Sequence, residues 1–353
     1  MSVRGMLLGG LLALASGFSW GQEAASGEPA KQPTSAKQPP LDAQQQAVRD
    51  CMHQSMDNVE ITLTIGELEE QCRIQLGEIP QPEYSAARER MAMEQRTKWN
   101  PFVITPHYAN YILPYTYVEE PNQEPYGAVY PNEELDNAEA KLQISLKVPL
   151  NQDDLLVAND AVYFAFTLKA FWQVYNHDIS APFRETNYRP EIYYLMPITS
   201  NLVEADTALA FGFEHESNGR SQILSRSWNR IFLNYYYARD NYLISFRPWY
   251  RIPEDEKDDA GDARGDDNPD IEKYMGYFEL MGTWEQNNYE FSVLLRNNLN
   301  NPNYGAVQLD ASFPLWGRLR GVVQYFNGYG ESLIDYNHRN ERLGIGILLT
   351  DML

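Results

Sequence analysis

The chain has 353 residues and a formal net charge of -21, from 28 Lys and Arg against 49 Asp and Glu. This excess of acidic residues argues against binding to nucleic acid, because phosphate backbones are bound by basic surfaces. No segment contains about 20 consecutive apolar residues, the length that a helix needs to cross a bilayer. The sequence therefore predicts no transmembrane helix.

The N-terminus has the pattern of a secretory signal peptide over residues 1–21. Arg4 precedes an apolar run from Met6 to Ala15, and small residues follow up to Gly21. Export without a transmembrane helix leaves three expected fates: a periplasmic protein, a secreted protein or an outer-membrane β-barrel. Residues 22–45 are rich in Pro, Ala, Gln, Ser and Lys, which predicts a flexible linker.

Residues 46–98 have a helical pattern, which includes a charged helix predicted from Tyr84 to Arg96. The chain's two cysteines, Cys51 and Cys72, both lie in this segment. In an exported protein such a pair predicts a disulfide, here one that clamps two short helices together; the alternative is two buried free thiols. The segment contains no recognisable active site, and we interpret it as a periplasmic extension.

From Trp99 onward, segments of about ten residues alternate apolar and polar side chains and are separated by Asn, Gly, Pro and Asp. Twelve strands are predicted, at 108–118, 141–149, 160–175, 188–198, 207–217, 227–237, 241–250, 272–284, 289–298, 304–314, 319–328 and 342–352. An even number of strands suits a closed antiparallel barrel, and the 24 tyrosines suit aromatic girdles. The predicted fold is all-β, a 12-stranded antiparallel transmembrane β-barrel over residues 99–353 with a small N-terminal helical extension.

The direction of the alternation favours a membrane barrel over a soluble one. In the strand at 160–175, the side chains predicted to face outward are apolar: Val162, Phe164, Phe166, Leu168 and Ala170. Those predicted to face inward are polar or small in most cases: Tyr163, Ala165, Thr167 and Lys169. A soluble lipocalin-like barrel also alternates, but it is apolar inside and polar outside.

The segment from Glu254 to Asp270 concentrates carboxylates, which suggests calcium binding. Its spacing does not match an EF-hand loop. We interpret it as an acidic, solvated surface loop, apart from its last five residues, DDNPD.

One predicted hairpin brings together residue types that suit nucleophilic catalysis. His215 and Ser217 are two residues apart, so in a strand they share a face. If the hairpin loop is centred near Gln222, Ser217 lies opposite Ser227 and His215 lies opposite Asn229. Directly opposed residues share a face at about 4.5–5.5 Å between Cβ atoms. A nucleophile, a base and an orienting amide would then stand on one surface.

That surface is the apolar face of both strands. Leu209, Phe211 and Phe213 share parity with His215 and Ser217, whereas Glu214 and Glu216 take the other face. On the second strand, four residues share parity with Asn229: Ile231, Leu233, Tyr235 and Tyr237. The predicted site therefore faces lipid and not a polar cleft.

Several motifs of this chain resemble the outer membrane phospholipase A family. They are HESNGR at 215–220, SRSWNR at 225–230, SAPFRETNY at 180–188, DDNPDI at 266–271, KYMGY at 273–277 and GYGESLIDYN at 328–337. They occur in the family's order, and the resemblance runs from about Asn100 to the C-terminus. It does not include the segment with the cysteine pair.

The resemblance implies a 12-stranded outer-membrane barrel that hydrolyses phospholipid acyl esters, as a calcium-dependent phospholipase A1/A2 and lysophospholipase active as a homodimer. It assigns Ser217 as nucleophile, His215 as general base and Asn229 as the orienting residue. The Gly219 N–H matches the family's oxyanion donor. The implied calcium ligands are the Ser225 side chain, the Arg220 carbonyl, Ser180 from across the dimer interface and, at a second position, Asp267.

Three positions depart from the family pattern. Gln222 stands where the family has an Asp that would join Asp267 at the second calcium position. Leu168 replaces a polar residue of the dimer interface, and Leu353 replaces the usual terminal Phe. Two other functions remain open from the residues alone: a non-catalytic outer-membrane barrel, either a porin or a scaffold, and a soluble periplasmic lipid-binding protein.

Overall fold

The structure is a computed structural model that describes residues 43–56, 68–69, 72–73, 75–77, 86–98, 100, 103–127, 129, 131–181, 183–198, 205–259, 262, 264–317 and 319–350. The predicted signal peptide, residues 22–42 of the predicted linker, and Leu353 lie outside the described residues. No helix among these described ranges is long and apolar enough to cross a membrane.

The N-terminal part of the chain contains a helix and a disulfide. Helix α1 (Ala43–Met56) begins two residues before the predicted end of the linker at residue 45, because AQQQA consists of good helix-forming residues. A disulfide joins Cys51 and Cys72, with 5.8 Å between their Cα atoms. Val48 is buried on the same helix. The pairing of the two cysteines is the predicted one.

The described part of the chain from residue 103 onward contains twelve long antiparallel strands and one short one. They are β1 (Thr105–Pro106), β2 (Asn110–Val118), β3 (Ala138–Pro149), β4 (Ala161–Trp172), β5 (Glu185–Ile198), β6 (Asp206–Ser217), β7 (Ser227–Arg239), β8 (Tyr242–Ile252), β9 (Phe278–Gln286), β10 (Tyr289–Asn297), β11 (Gly305–Trp316), β12 (Leu319–Tyr329) and β13 (Arg339–Thr350). Each long strand pairs with the next along the chain, and β13 pairs back to β2, so the sheet closes. Strand β1 adds two residue pairs to the edge of β3. The predicted 12-stranded barrel is confirmed.

Among the described residues, three further helices accompany the barrel: α2 (Ala86–Thr97), α3 (Glu124–Gly127) and α4 (Ile271–Met275). Helix α4 corrects the sequence analysis, which predicted a strand at 272–284. Ile271 and Met275 are one helical turn apart and both are buried, which favours a turn of helix. Gly276 ends it with φ at 72°, and strand β9 begins at Phe278.

The outer wall of the barrel is apolar, as predicted. On β4, Phe164 is 39% exposed, and Val162, Phe166 and Leu168 are half-buried. Ala170, predicted to face outward, is buried because its small side chain is paired in the ladder between the larger Leu142 and Thr186. The inward residues Tyr163, Ala165 and Thr167 are buried, and Lys169 is half-buried.

A buried network of charges fills one part of the lumen. Arg342 lies 2.8 Å from both Glu139 and Glu331, and Lys141 also contacts Glu331 at 2.8 Å. Arg184 contacts Glu139 at 2.9 Å. Burial would raise the pKa of the Glu331 carboxyl, but Arg342 and Lys141 hold that pKa well below its usual range. The network joins strands and loops that are far apart in sequence.

A second cluster of buried charges lies on strands β5, β6 and β8. Arg247 on β8 contacts Glu191 on β5 at 2.8 Å and also pairs with Glu214 on β6. The cavity inside the barrel has a volume of about 140 Å³, with Lys169 and Arg189 among the residues that line it. A lumen occupied in this way does not suit the porin function left open by the sequence.

Arg342 bridges two buried carboxylates of the first network, Glu139 and Glu331, so its removal should destabilise the barrel. We expect Arg342→Ala to lower the free energy of unfolding by about 3–5 kcal/mol, because two buried carboxylates lose a shared cation. The matched control is Arg339→Ala, an exposed arginine on the same strand that bonds Asn327. Urea unfolding in lipid vesicles measures both variants. Equal stability of the two would contradict the role given to Arg342.

Helix α2 packs against the strand ends opposite the β6–β7 loop. The Ala86 N–H donates to the carbonyl of Asp240, which follows β7, at 2.8 Å, and Arg88 pairs with Asp206 at the start of β6. Glu94 contacts Lys147 at 2.7 Å. Burial raises the pKa of Glu94, but the positive charges of Lys147 and Arg90 together lower it by more. The net pKa of Glu94 therefore lies below the usual range. The compact unit that contains the barrel begins at residue 82, so this helix belongs with the barrel.

Candidate active site

The β6–β7 hairpin has the predicted register. His215 pairs with Asn229 and Ser217 pairs with Ser227. A single turn of 3-10 helix from Gln222 to Leu224 lies at the centre of the connecting loop. Since paired residues share a face, the hairpin brings His215, Ser217 and Asn229 to one surface.

His215 and Asn229 are joined by a hydrogen bond. The distance between His215 Nδ1 and Asn229 Oδ1 is 2.9 Å. A carboxamide oxygen only accepts, so Nδ1 carries the proton of the neutral ring and Nε2 is left with a free lone pair. Among the hydrogen bonds of the described hairpin, none joins Ser217 to His215. Bonds between a nucleophile and its base are often long before substrate binds.

The three residues lie at the end of the apolar wall, not in the lumen. Each is half-buried, and the outward residues further along the strands are exposed: Phe211 (52%), Phe213 (39%), Ile231 (51%) and Leu233 (44%). The neighbouring glutamates point the other way. Glu214 pairs with Arg230, and Glu216 accepts a bond from the Trp228 indole at 3.0 Å.

The loop after Ser217 is held by its own polar contacts. The Asn218 carboxamide accepts from the backbone N–H groups of Arg220 (3.2 Å) and Arg226 (3.0 Å), and donates to the Leu224 carbonyl at 2.8 Å. Gly219 has φ at 64°, and a Cβ there would lie 3.2 Å from the Tyr188 ring. Within the described loop, the Gly219 N–H has no hydrogen-bond acceptor, so this donor is available to a ligand.

One contact of the site was missed in the sequence analysis. The Asn229 amide Nδ2 donates to Glu254 Oε1 at 2.8 Å. Glu254 lies two residues after the end of β8, within the segment that the sequence indicates to be an acidic surface loop. The signal was present in the register of β7 and β8, since Arg239 pairs with Tyr242 and Asn229 with Ile252. Extending this register from the tight turn past the end of β8 places position 254 beside the loop end of the β6–β7 hairpin.

The predicted calcium ligands fall into two groups. Ser225 Oγ donates to Asp267 Oδ2 at 2.8 Å, so these two residues are brought together. Asp267 also pairs with Lys257. The Arg220 guanidinium donates to the carbonyls of Phe183 and Arg184, each at 2.7 Å. It thereby ties its loop to the β4–β5 loop, which carries Ser180.

The oxygen atoms of the predicted ligands suit calcium chemically, but they carry little negative charge. Hydroxyl, carbonyl and carboxylate oxygens are the ligands that calcium prefers. The described residues contain no group of three or more His, Cys, Asp or Glu that could hold a metal. Lys257 already neutralises Asp267, the one carboxylate of the set. Ser225 and the Arg220 carbonyl fit a calcium ion, whereas Asp267 fits one only if Lys257 moves away.

Comparison with known proteins identifies the family. The model of a family described as phospholipase A1 matches residues 87–349. The chain belongs to the phospholipase A1 family. Phospholipase A1 of Klebsiella pneumoniae is 36% identical over 256 residues, which cover 72% of this chain and 84% of that protein. Phospholipase A1 of Escherichia coli K12 is also 36% identical over 256 residues, with 72% and 83% covered.

Solved structures of the phospholipase A1 family have the same fold. Outer membrane phospholipase A from Escherichia coli aligns with a TM-score of 0.65 and 34% identity, covering 71% of this chain and 100% of that one. A calcium-bound dimer of Salmonella typhi outer membrane phospholipase aligns with a TM-score of 0.65 and 35% identity, covering 72% and 95%. This member of the family is thus an integral outer-membrane β-barrel that hydrolyses phospholipids. The soluble lipid-binding alternative is wrong.

Proposed function

We propose that the protein is a calcium-dependent phospholipase A1/A2 and lysophospholipase that uses Ser217, His215 and Asn229 and is active as a homodimer. The observation that carries this proposal is the 2.9 Å bond from His215 to Asn229 beside Ser217, on a wall that faces lipid. A barrel that is only a scaffold has no use for an oriented imidazole beside a hydroxyl on its outer surface.

Acylation begins when the Ser217 hydroxyl attacks the ester carbonyl of a phospholipid. His215 Nε2 takes the hydroxyl proton, and Asn229 holds the ring through Nδ1. The oxyanion that forms accepts a hydrogen bond from the Gly219 N–H. Collapse expels the glycerol oxygen, which takes the proton from His215 and leaves as the lysophospholipid. Water then attacks the acyl-serine with the same base, and the fatty acid is released.

The use of Asn in place of the usual Asp follows from the position of the site. Ionised side chains that face hydrocarbon are costly, and Asn229 lies on the apolar wall. A neutral amide accepts the Nδ1–H bond without that cost. Its disadvantage is weaker stabilisation of the imidazolium that forms during acylation.

Calcium is proposed to bind the Ser225 hydroxyl, the Arg220 carbonyl and Ser180 of the partner subunit, with Asp267 at a second position. The support is the oxygen chemistry of these residues and the calcium-bound dimer of the Salmonella typhi relative. Calcium bound there supplies positive charge beside the oxyanion that Gly219 binds.

Dimerisation is proposed to complete the site. One barrel presents a convex wall, so a second wall against it is needed to form a groove for acyl chains. The exposed Phe211, Phe213 and Ile231 offer apolar surface directly beneath the triad, and Leu168 lies on the same outer wall. The Salmonella typhi relative is a dimer.

The test of this function is hydrolysis of a phospholipid whose two acyl chains differ in mass. The purified full chain in detergent with calcium should release both fatty acids, and mass spectrometry identifies the glycerol position from which each came. Release of one chain only would restrict the activity to A1 or A2. If no fatty acid appears and the protein conducts ions across liposomes, the porin function is correct instead.

A further inference from the structure

Glu254 extends the line of hydrogen bonds that begins at His215. Asn229 Oδ1 faces His215 Nδ1 at 2.9 Å, while its Nδ2 donates to Glu254 Oε1 at 2.8 Å. The carboxamide is thus held from both ends, and a carboxylate lies one side chain beyond it. Glu254 is two residues past the end of β8 and is half-buried.

The contact with Glu254 decides which way the Asn229 amide points. A carboxamide rotated by 180° would turn its NH₂ toward His215 Nδ1, and two donors would then face each other. A carboxylate accepts only, so it bonds the NH₂ end and leaves the oxygen for the ring. Rotation would break both bonds, one of them charge-assisted and so about twice as strong as a neutral bond.

The position of Glu254 also affects the stability of the positive charge that forms on His215. During acylation the imidazole of His215 becomes a cation, and a neutral Asn stabilises it less than an Asp does. A carboxylate bonded to the amide NH₂ polarises the amide, which makes its oxygen a better acceptor for the ring N–H. Because Glu254 lies past the strand end and retains contact with water, it supplies this charge without the burial cost of an Asp on the apolar wall.

We propose that Glu254 is a positioning residue of the active site, which fixes the Asn229 amide and, through it, the His215 ring. The proposal rests on the function proposed above. It makes the site a line of four side chains, Ser217, His215, Asn229 and Glu254, in which the negative charge lies at the solvated end. Glu254 touches no reacting atom and acts only through Asn229.

The first test separates positioning from substrate binding. At saturating calcium, Glu254→Ala should lower kcat by about 10–30-fold with little change in KM, because an interaction used only in the transition state is lost. Glu254→Gln keeps an acceptor for the amide but removes the charge, so its kcat should lie between that of wild type and that of Glu254→Ala. The control is Glu256→Gln, an exposed acid in the same loop, which should behave as wild type. Unchanged kcat in Glu254→Ala would overturn the proposal.

The second test is a double-mutant cycle with Asn229. If Glu254 acts through the amide, Glu254→Ala should change kcat less than twofold in an Asn229→Ala background. A full effect in that background would overturn the proposal. So would a raised calcium requirement in Glu254→Ala, since that would point to a loosened loop around Lys257 and Asp267. Full activity of Ser217→Ala would instead reject the proposed function itself, so the two failures are distinguishable.

Discussion

Ser217→Ala is expected to lower phospholipid turnover by about 10,000-fold or more. Loss of a nucleophile removes the covalent route, and only substrate binding and the oxyanion donor remain. The change removes one half-buried hydroxyl from an outward position, so the barrel should fold and close as before. Initial rates in detergent with calcium measure the effect, and heat-modified mobility on gels confirms folding.

The matched control is Ser221→Ala in the same loop. The Ser221 side chain is exposed and makes no capping hydrogen bond to the 3-10 helix that follows it. Its loss should leave turnover within about threefold of wild type, as for most surface substitutions. More than a tenth of wild-type turnover in Ser217→Ala would mean that another group is the nucleophile.

Removal of calcium is expected to lower wild-type turnover by about 100–1,000-fold, the range for loss of one electrostatic stabiliser of an oxyanion. Added calcium should restore activity and magnesium should not, because magnesium demands stricter octahedral geometry. Ser225→Ala should raise the calcium concentration needed for half-maximal rate. Equal rates in chelator and in calcium would contradict this part of the mechanism.

Substitution of Lys257 provides a second test of calcium binding. Its ammonium group pairs with the Asp267 carboxylate, which also accepts the Ser225 hydroxyl. We expect Lys257→Met to free that carboxylate and so to lower the calcium concentration for half-maximal rate. An unchanged calcium requirement would show that Asp267 does not act as a ligand, in line with the presence of Gln222 in place of the family's Asp.

The register of the β6–β7 hairpin, which carries the candidate active site, could be predicted because its information is local. A loop centred near Gln222 sets the register, and the period of two in a strand sets the face, so His215 and Asn229 could be paired by counting. The barrel followed from the same alternation repeated along the chain. Helix α4 could not be predicted in this way, because Ile271 and Met275 are four residues apart, a spacing that shares one face in a strand and in a helix alike.

Contacts between distant parts of the chain were beyond the sequence. Lys141 and Glu331 are 190 residues apart, and their ion pair depends on the register of every strand that separates them across the closed sheet. The contact from Glu254 to Asn229 depends on the path of a loop after its strand has ended. The ion pair carries no local pattern, and the register of β7 and β8 places position 254 near Asn229 without fixing where its side chain points.

Ser217 on the lipid-facing wall is the proposed nucleophile, and covalent labelling is a direct test of that role. The full chain in detergent is treated with an alkyl fluorophosphonate, with calcium or with chelator, and the adduct is located by peptide mass spectrometry. We expect one adduct, on Ser217, formed only with calcium. An adduct on a different residue, or equal labelling of Ser217→Ala, would contradict it.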